Sequence, residues 1–246
     1  ACAKRIKEAP RDLDNINNVF NQSLYEDIVE IFNVEAVRSI LSGRYSNNLR
    51  VPDGGVLLMD RLGHLDPYEA ASRANKLDFL LASYPTVGIH VPLSTQLKYA
   101  VADCSGWRCE REKWKVLACQ NLKMIFFVVS LGDFDLVSRE NGQNRFVDSV
   151  NFFGELSANP LLQSIPILLI FNKIDVFREK LNYKKFSDYV VEYKGRNDYH
   201  YITNYIKMKF LKGENTINHI FASTLDSGDV QAITSIAEAY FKNQPS

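Results

Sequence analysis

The sequence has no excess of charge of either sign. Its 29 Lys and Arg are matched by 29 Asp and Glu. That balance removes the basic footprint of a non-specific nucleic-acid binder, so no nucleic acid is expected among its partners. Long apolar runs are missing too. Met124–Val129 and Ile165–Phe171 are the longest, against roughly 20 residues for a membrane-spanning helix. Cysteine is sparse. Cys2, Cys104, Cys109 and Cys119 form no CxxC pair and have no histidine at zinc spacing, which argues against a disulfide scaffold and for a reducing compartment. His64, His90, His200 and His219 are scattered, without ligand spacing. The start, Ala1-Cys-Ala-Lys-Arg-Ile, has neither a signal-peptide apolar region nor an initiator Met, as in a fragment or a processed chain.

What is present can build a core. Of 246 residues, 46% are hydrophobic and 12% aromatic, enough for one large domain or two modest ones. Residues 1–83 read as helical. Ser23-Leu-Tyr-Glu-Asp-Ile resembles a capping box, and Ile28, Ile31, Phe32, Val37, Ile40 and Leu41 recur at helical spacing. The turn Val51-Pro-Asp-Gly-Gly precedes a second periodic stretch to Leu62, and Asp66-Pro67 opens a third through Leu77 and Leu80. Residues 84–246 read differently. Gln96–Asp103, Met124–Ser130 and Ile165–Lys173 are apolar runs ending in polar residues, which suits strands buried on both faces of a parallel sheet. Arg139–Leu156, Tyr199–Leu211 and Val230–Phe241 have helical period, and His219–Ser223 is a last short strand. Strand–helix alternation predicts an α/β domain with its ligand site at the carboxyl ends of the strands.

Four short motifs sit at such ends. Asn172-Lys173-Ile174-Asp175 follows an apolar run; a carboxylate there can accept from the ring N1–H and exocyclic amine of guanine, while a Lys stem lies along the base. Asp103-Cys-Ser-Gly106 can hold a Mg²⁺ water and aim a backbone N–H at a terminal phosphate. The Thr86 hydroxyl is a candidate Mg²⁺ ligand. Ala222-Ser223-Thr224 can bring a backbone N–H to a purine oxygen. Each alone is a common loop or strand end; their order makes them informative.

Together they resemble the switch I, DxxG, NKxD and base-contacting elements of the heterotrimeric G-protein α subunits. Asp103-Cys-Ser-Gly-Trp-Arg-Cys-Glu-Arg-Glu-Lys-Trp114 is similar to the family's DVGGQRxERxKW, and Phe171-Asn-Lys-Ile-Asp-Val-Phe-Arg-Glu-Lys-Leu181 to its NKxDxFxEKL. Leu131–Val137 with Asn144, Arg145, Asp148, Ser149, Phe152 and Phe153 resembles switch III and the helix after it. Tyr193–Tyr199 resembles YxGxNxY, Phe221–Ser227 resembles FTCATDT, and Val51–Leu62 resembles the LPDSAxYFLDRL of the inserted helical domain. The resemblance covers about residues 25–243. It implies a Ras-like P-loop-GTPase-type sheet with helices on both faces (84–246) and an all-helical Gα-type inserted domain (1–83).

The resemblance assigns nucleotide binding to Asn172, Lys173, Asp175, Thr224 and Gly106, and Mg²⁺ to Thr86 and Asp103. It assigns the docking of a βγ-like dimer or effector to Trp107, Arg108, Arg111, Lys113 and Trp114. Its cofactors are GTP or GDP with Mg²⁺, and its place is the cytoplasm, at the inner face of the plasma membrane. There are departures. No Gly-x-x-x-x-Gly-Lys-Ser/Thr loop occurs in these 246 residues; that loop cradles the β- and γ-phosphates. The GTPase domain therefore lacks its first strand and P-loop in this chain, and both cofactors are conditional on a P-loop outside it. The positions of the catalytic Arg and Gln hold Ser83 and Trp107, so no catalytic residue is assigned, and Ser105 replaces the first Gly of the GG pair. Gln244-Pro-Ser246 stops short of the receptor-facing tail, which puts receptor coupling in doubt. Two readings follow: a GTP/GDP switch with weak or absent hydrolysis, or a pseudo-GTPase scaffold that binds partners without nucleotide.

Overall fold

The computed structural model describes residues 4, 22–43, 53–62, 76–81, 86–91, 100–118, 122–138, 140–212 and 218–242. The chain divides into two compact units, Ala1–Tyr84 and Pro85–Ser246.

In the first unit the described residues form helices α1 (Gln22–Asn33), α2 (Glu35–Ser42), α3 (Asp53–Leu62) and α4 (Lys76–Leu81). No strand occurs among them. The capping-box reading is corrected: α1 already contains Gln22, so Ser23 lies inside its first turn. The Asp53-Gly-Gly turn is likewise part of α3. Gly54 has a reason to be there, because a Cβ would collide with the Leu81 carbonyl oxygen where α3 meets α4. The same two helices are joined by Arg61, whose Nε and Nη2 grip both oxygens of the buried Asp78. Tyr25, Phe32 and Leu81 are buried between the helices. The helix expected to open at Asp66-Pro67 lies outside the described residues until Lys76.

The second unit mixes helix and sheet around a parallel core. Strands β3 (Ile125–Ser130), β4 (Ile167–Asn172) and β5 (Asn218–Phe221) pair in that order, with Ile125 opposite Ile167 and Leu168 opposite Asn218. A short antiparallel pair, β1 (Ile89–His90) with β2 (Asp103–Cys104), stands apart from them. Of the expected Gln96–Asp103 strand only residues 100–103 are described: 100–102 are not strand, and Asp103 lies in β2, which is exposed and antiparallel rather than buried in the parallel sheet. Helices α5 (Trp114–Ala118), α6 (Arg145–Ser157), α7 (Ile174–Leu181), α8 (Tyr199–Leu211) and α9 (Ser227–Lys242) complete the unit. The helix read from Arg139 begins at Arg145, because Asn144 caps it: Oδ1 accepts from the Phe146 and Val147 N–H groups, and Nδ2 donates to the Phe134 carbonyl. Asp198 caps α8 in the same manner.

The β4 side chains Leu168, Leu169, Ile170 and Phe171 are buried on both faces, as expected. β3 differs. Phe127 and Val129 are buried, but Phe126 and Val128 are 44% and 56% exposed. The Ile125 N–H donates to Pro166 in the approach to β4, so by strand alternation the backbone groups of Phe126, Val128 and Ser130 point away from β4. Among the described residues no strand pairs with that side.

The turn leaving β3 is fastened by charge. Asp135 accepts from Lys180 at 2.7 Å and from Lys184 at 2.6 Å, with all three side chains less than a tenth exposed. Burial alone pushes the Asp135 carboxyl up, but the two ammonium groups outweigh it and hold the carboxyl below its ordinary value. A folded-state pKa below the unfolded one gives stability that is complete above the ordinary carboxylate range and lost as pH falls through the lowered value. Asp135→Asn should therefore lower the urea midpoint at pH 6, with the two proteins converging toward pH 2. Parallel curves down to acid pH would contradict this account.

Candidate functional site

Two side-chain clusters form where the strands of the second unit end. The first joins the tips of β4 and β5. Asn172 Oδ1 accepts from the Lys173 N–H at 2.7 Å and from the Thr224 N–H at 3.0 Å. Asn172 Nδ2 donates to Thr224 Oγ1 at 3.1 Å. These bonds tie the two tips together and hold Lys173 in the left-handed region, at φ 60°, which costs a non-glycine residue about 1 kcal/mol or more. Asp175 is exposed in the first turn of α7, and Thr224 is exposed too. The structure thus joins Asn172, Lys173 and Thr224, with Asp175 two residues along the chain from Lys173 in α7. Asp133, on the turn after β3, stands 3.9 Å from Lys173 Nζ and binds Arg145 at 2.8 Å.

The second cluster surrounds β2. Thr86 Oγ1 donates to Asp103 Oδ2 at 3.1 Å. Two hard oxygens are a fitting start for Mg²⁺, whose remaining positions are usually filled by water and phosphate. Gly106 is exposed, and a Cβ there would touch nothing, so its backbone is open to approach. Its carbonyl accepts from Arg111 Nε at 3.1 Å. Arg111 is buried, stacks 4.1 Å above the Phe152 ring and shares Asp148 with Arg108. Lys113 pairs with Glu110 at 2.6 Å, and Glu110 also accepts the Gly88 N–H at 2.9 Å. Both contacts, Lys113 foremost, pull the Glu110 carboxyl below its ordinary value. Trp107 is 54% exposed, whereas Trp114 is half-buried beside Phe152.

Sequence reasoning missed Glu140. Its carboxylate accepts the Arg108 N–H at 3.0 Å and the Cys109 N–H at 3.4 Å, capping the 3-10 helix Arg108–Lys113. The Arg108 N–H is the main reason that this carboxyl titrates low. No motif marks Glu140, because a loop acid gains a role only from what folds against it. Cys104 and Cys109 are free and exposed.

Between β2 and β3 lies a cavity of about 700 Å³. Val101–Gly106 forms one wall, Phe126 and Val128 another, and Leu117, Leu122 and Phe152 make an apolar floor. Asp103, Asp133, Arg145 and Asp148 make its lining polar elsewhere. Two lining residues carry buried groups with no hydrogen-bond partner, Ser130 Oγ and Trp114 Nε1. Orphaned buried groups of this kind call for an occupant.

A model of the G-protein alpha subunit family matches residues 2–243. The guanine nucleotide-binding protein alpha-12 subunit of Dictyostelium discoideum is 28% identical over 232 residues, 90% of this chain and 64% of that protein. The alpha-2 subunit of Schizosaccharomyces pombe is 26% identical over 227 residues, 88% of this chain and 62% of that protein. The alpha-2 subunit of Dictyostelium discoideum is 34% identical over 145 residues, 56% of this chain and 40% of that protein. The chain thus spans less than two thirds of each of these relatives. With residues 2–243 matched and the motif residues gathered at the strand tips, the chain belongs to the G-protein alpha subunit family.

Proposed function

We propose that this chain is the base-reading and partner-docking part of a guanine-nucleotide switch, with weak or absent GTP hydrolysis. The observation that carries the reading is the joining of Asn172, Lys173 and Thr224 at adjacent strand tips, with Asp175 in the first turn of the helix that starts there. In this reading Asp175 accepts from the guanine N1–H and amine, the Lys173 stem covers the ring, and the Thr224 loop meets the purine oxygen. Asn172 holds the two loops in register. Thr86 and Asp103 hold Mg²⁺, which neutralises phosphate charge, and the Gly106 N–H faces the terminal phosphate. Nucleotide and Mg²⁺ binding in this reading are conditional on a phosphate loop that these 246 residues do not contain. A strand before such a loop would fit beside β3, where among the described residues no strand pairs with the backbone of Phe126, Val128 and Ser130. The helical unit corresponds to the family's inserted domain, and Trp107, Arg108, Arg111, Lys113 and Trp114 form the face for a βγ-like dimer or effector at the cytoplasmic membrane surface. Among the described residues no helix is long and apolar enough to cross that membrane.

Asp175→Asn tests the base assignment. Each hydrogen bond to a charged group contributes about 1.5–3 kcal/mol, so the full-length variant should lose GTP affinity by about tenfold or more relative to xanthosine triphosphate. An unchanged preference in a competition assay would refute it. The scaffold reading also has an observation behind it. Asp148 and Glu140 fasten the Arg108–Lys113 segment through protein contacts alone, so that face can be held in shape without nucleotide. If the full-length protein binds no nucleotide, this reading takes its place.

A further inference from the structure

Helix α7 carries Asp175 in its first turn and Lys180 in its last. Lys180 is 4% exposed. Its Nζ donates to the Gly132 carbonyl at 2.6 Å and to Asp135 Oδ1 at 2.7 Å. Both acceptors belong to the turn that leaves β3, the turn that also presents Asp133 to Lys173 and Arg145. That turn lies hard against the helix: a Cβ on Gly132 would meet Val176 Cγ1 at 3.0 Å and Lys173 Cβ at 3.4 Å.

Charge balance does not require this lysine. Asp135 has two ammonium partners, and removing Lys180 leaves it matched with Lys184 at 2.6 Å. A buried ion pair taken whole is a weak source of stability, since apolar replacement of both partners is often neutral or better, whereas removal of one partner is costly. What Lys180 alone supplies is a tie from the last turn of α7 to the Gly132 carbonyl. The exposed Asp175 depends on the direction of α7 for the aim of its carboxylate. We propose that Lys180 is a positioning residue for base recognition: it fixes α7 against the β3 turn and so aims Asp175 and the Lys173 stem across the β4 and β5 tips. This role rests on the guanine reading of the same site.

The experiment compares GDP with IDP, which lacks the exocyclic amine, in the full-length protein and its Lys180→Met and Lys180→Arg variants. The ratio of the two affinities reports the aim of Asp175 and is insensitive to a uniform loss of folded protein. Lys180→Met should lower the urea midpoint, as loss of one partner of a buried pair does, and should also cut the GDP-over-IDP preference by about tenfold, roughly one charged hydrogen bond. Lys180→Arg, which keeps a donor for Gly132, should recover most of it. A Met variant with the wild-type ratio overturns the proposal, whether or not its midpoint falls. So does an Arg variant as impaired as the Met variant. A wild-type protein that binds both nucleotides equally overturns the guanine reading itself, and the proposal with it.

Discussion

GTP hydrolysis by the full-length protein is expected to run about 10³-fold or more below the rate of an α subunit that has its catalytic Arg. The value of that Arg, about 10³–10⁵ in rate, is the one known for Ras and Gα proteins themselves. Phosphoryl transfer depends on positioning and on neutralising the charge that develops. Ser83, at the aligned position, has no charge and a short reach; it lies outside the described residues. Trp107, at the Gln position, has one indole donor and no acceptor, so it cannot orient a water as an amide does. Its backbone is set by the N–H bond to Ser105 Oγ at 3.3 Å, and its ring is more than half exposed. Single-turnover hydrolysis decides the matter, and a Ser83→Arg/Trp107→Gln double variant should gain rate. Ordinary rates in the wild type would mean that another group supplies both functions.

The second large effect concerns stability. Phe186 is fully buried in a 3-10 turn, with ring centroids of Phe134, Phe146, Phe177, Tyr193 and Tyr205 between 5.4 and 6.3 Å away. Its N–H is held by Asn197 Oδ1 at 2.8 Å, so the backbone cannot follow a shrinking side chain. Phe186→Ala should cost about 3–5 kcal/mol, the usual range for a buried ring replaced by a methyl. Urea unfolding of the protein measures it. A loss under about 1 kcal/mol would show that the neighbouring rings close the gap.

Much of this could be read from the chain. The run Ile165–Phe171 announced β4, and Asn172 marked its tip, because both signals are local. Helix α8 was readable to its ends. β3 was legible as a strand but not as an edge: Met124–Val129 is as apolar as β4, and an apolar run carries no mark of which neighbours are beside it. Helix starts drifted wherever one cap outcompeted another, as when Asn144 rather than the stretch from Arg139 opened α6. The hidden part of the site was the acids. Glu140, Asp148 and Asp135 act on groups some 30 to 50 residues away in sequence, and no spacing rule reaches that far.

The side of β3 that no described strand covers also bears on the chain before folding is complete. Ile125–Ser130 contains no charge and no proline, and a six-residue segment of that kind stacks readily with copies of itself into cross-β ribbons. On the ribosome it emerges before β4, which lies beyond the whole of α6. The same six residues that give the sheet its hydrophobic weight are therefore the segment most open to self-pairing while β4 is still unmade.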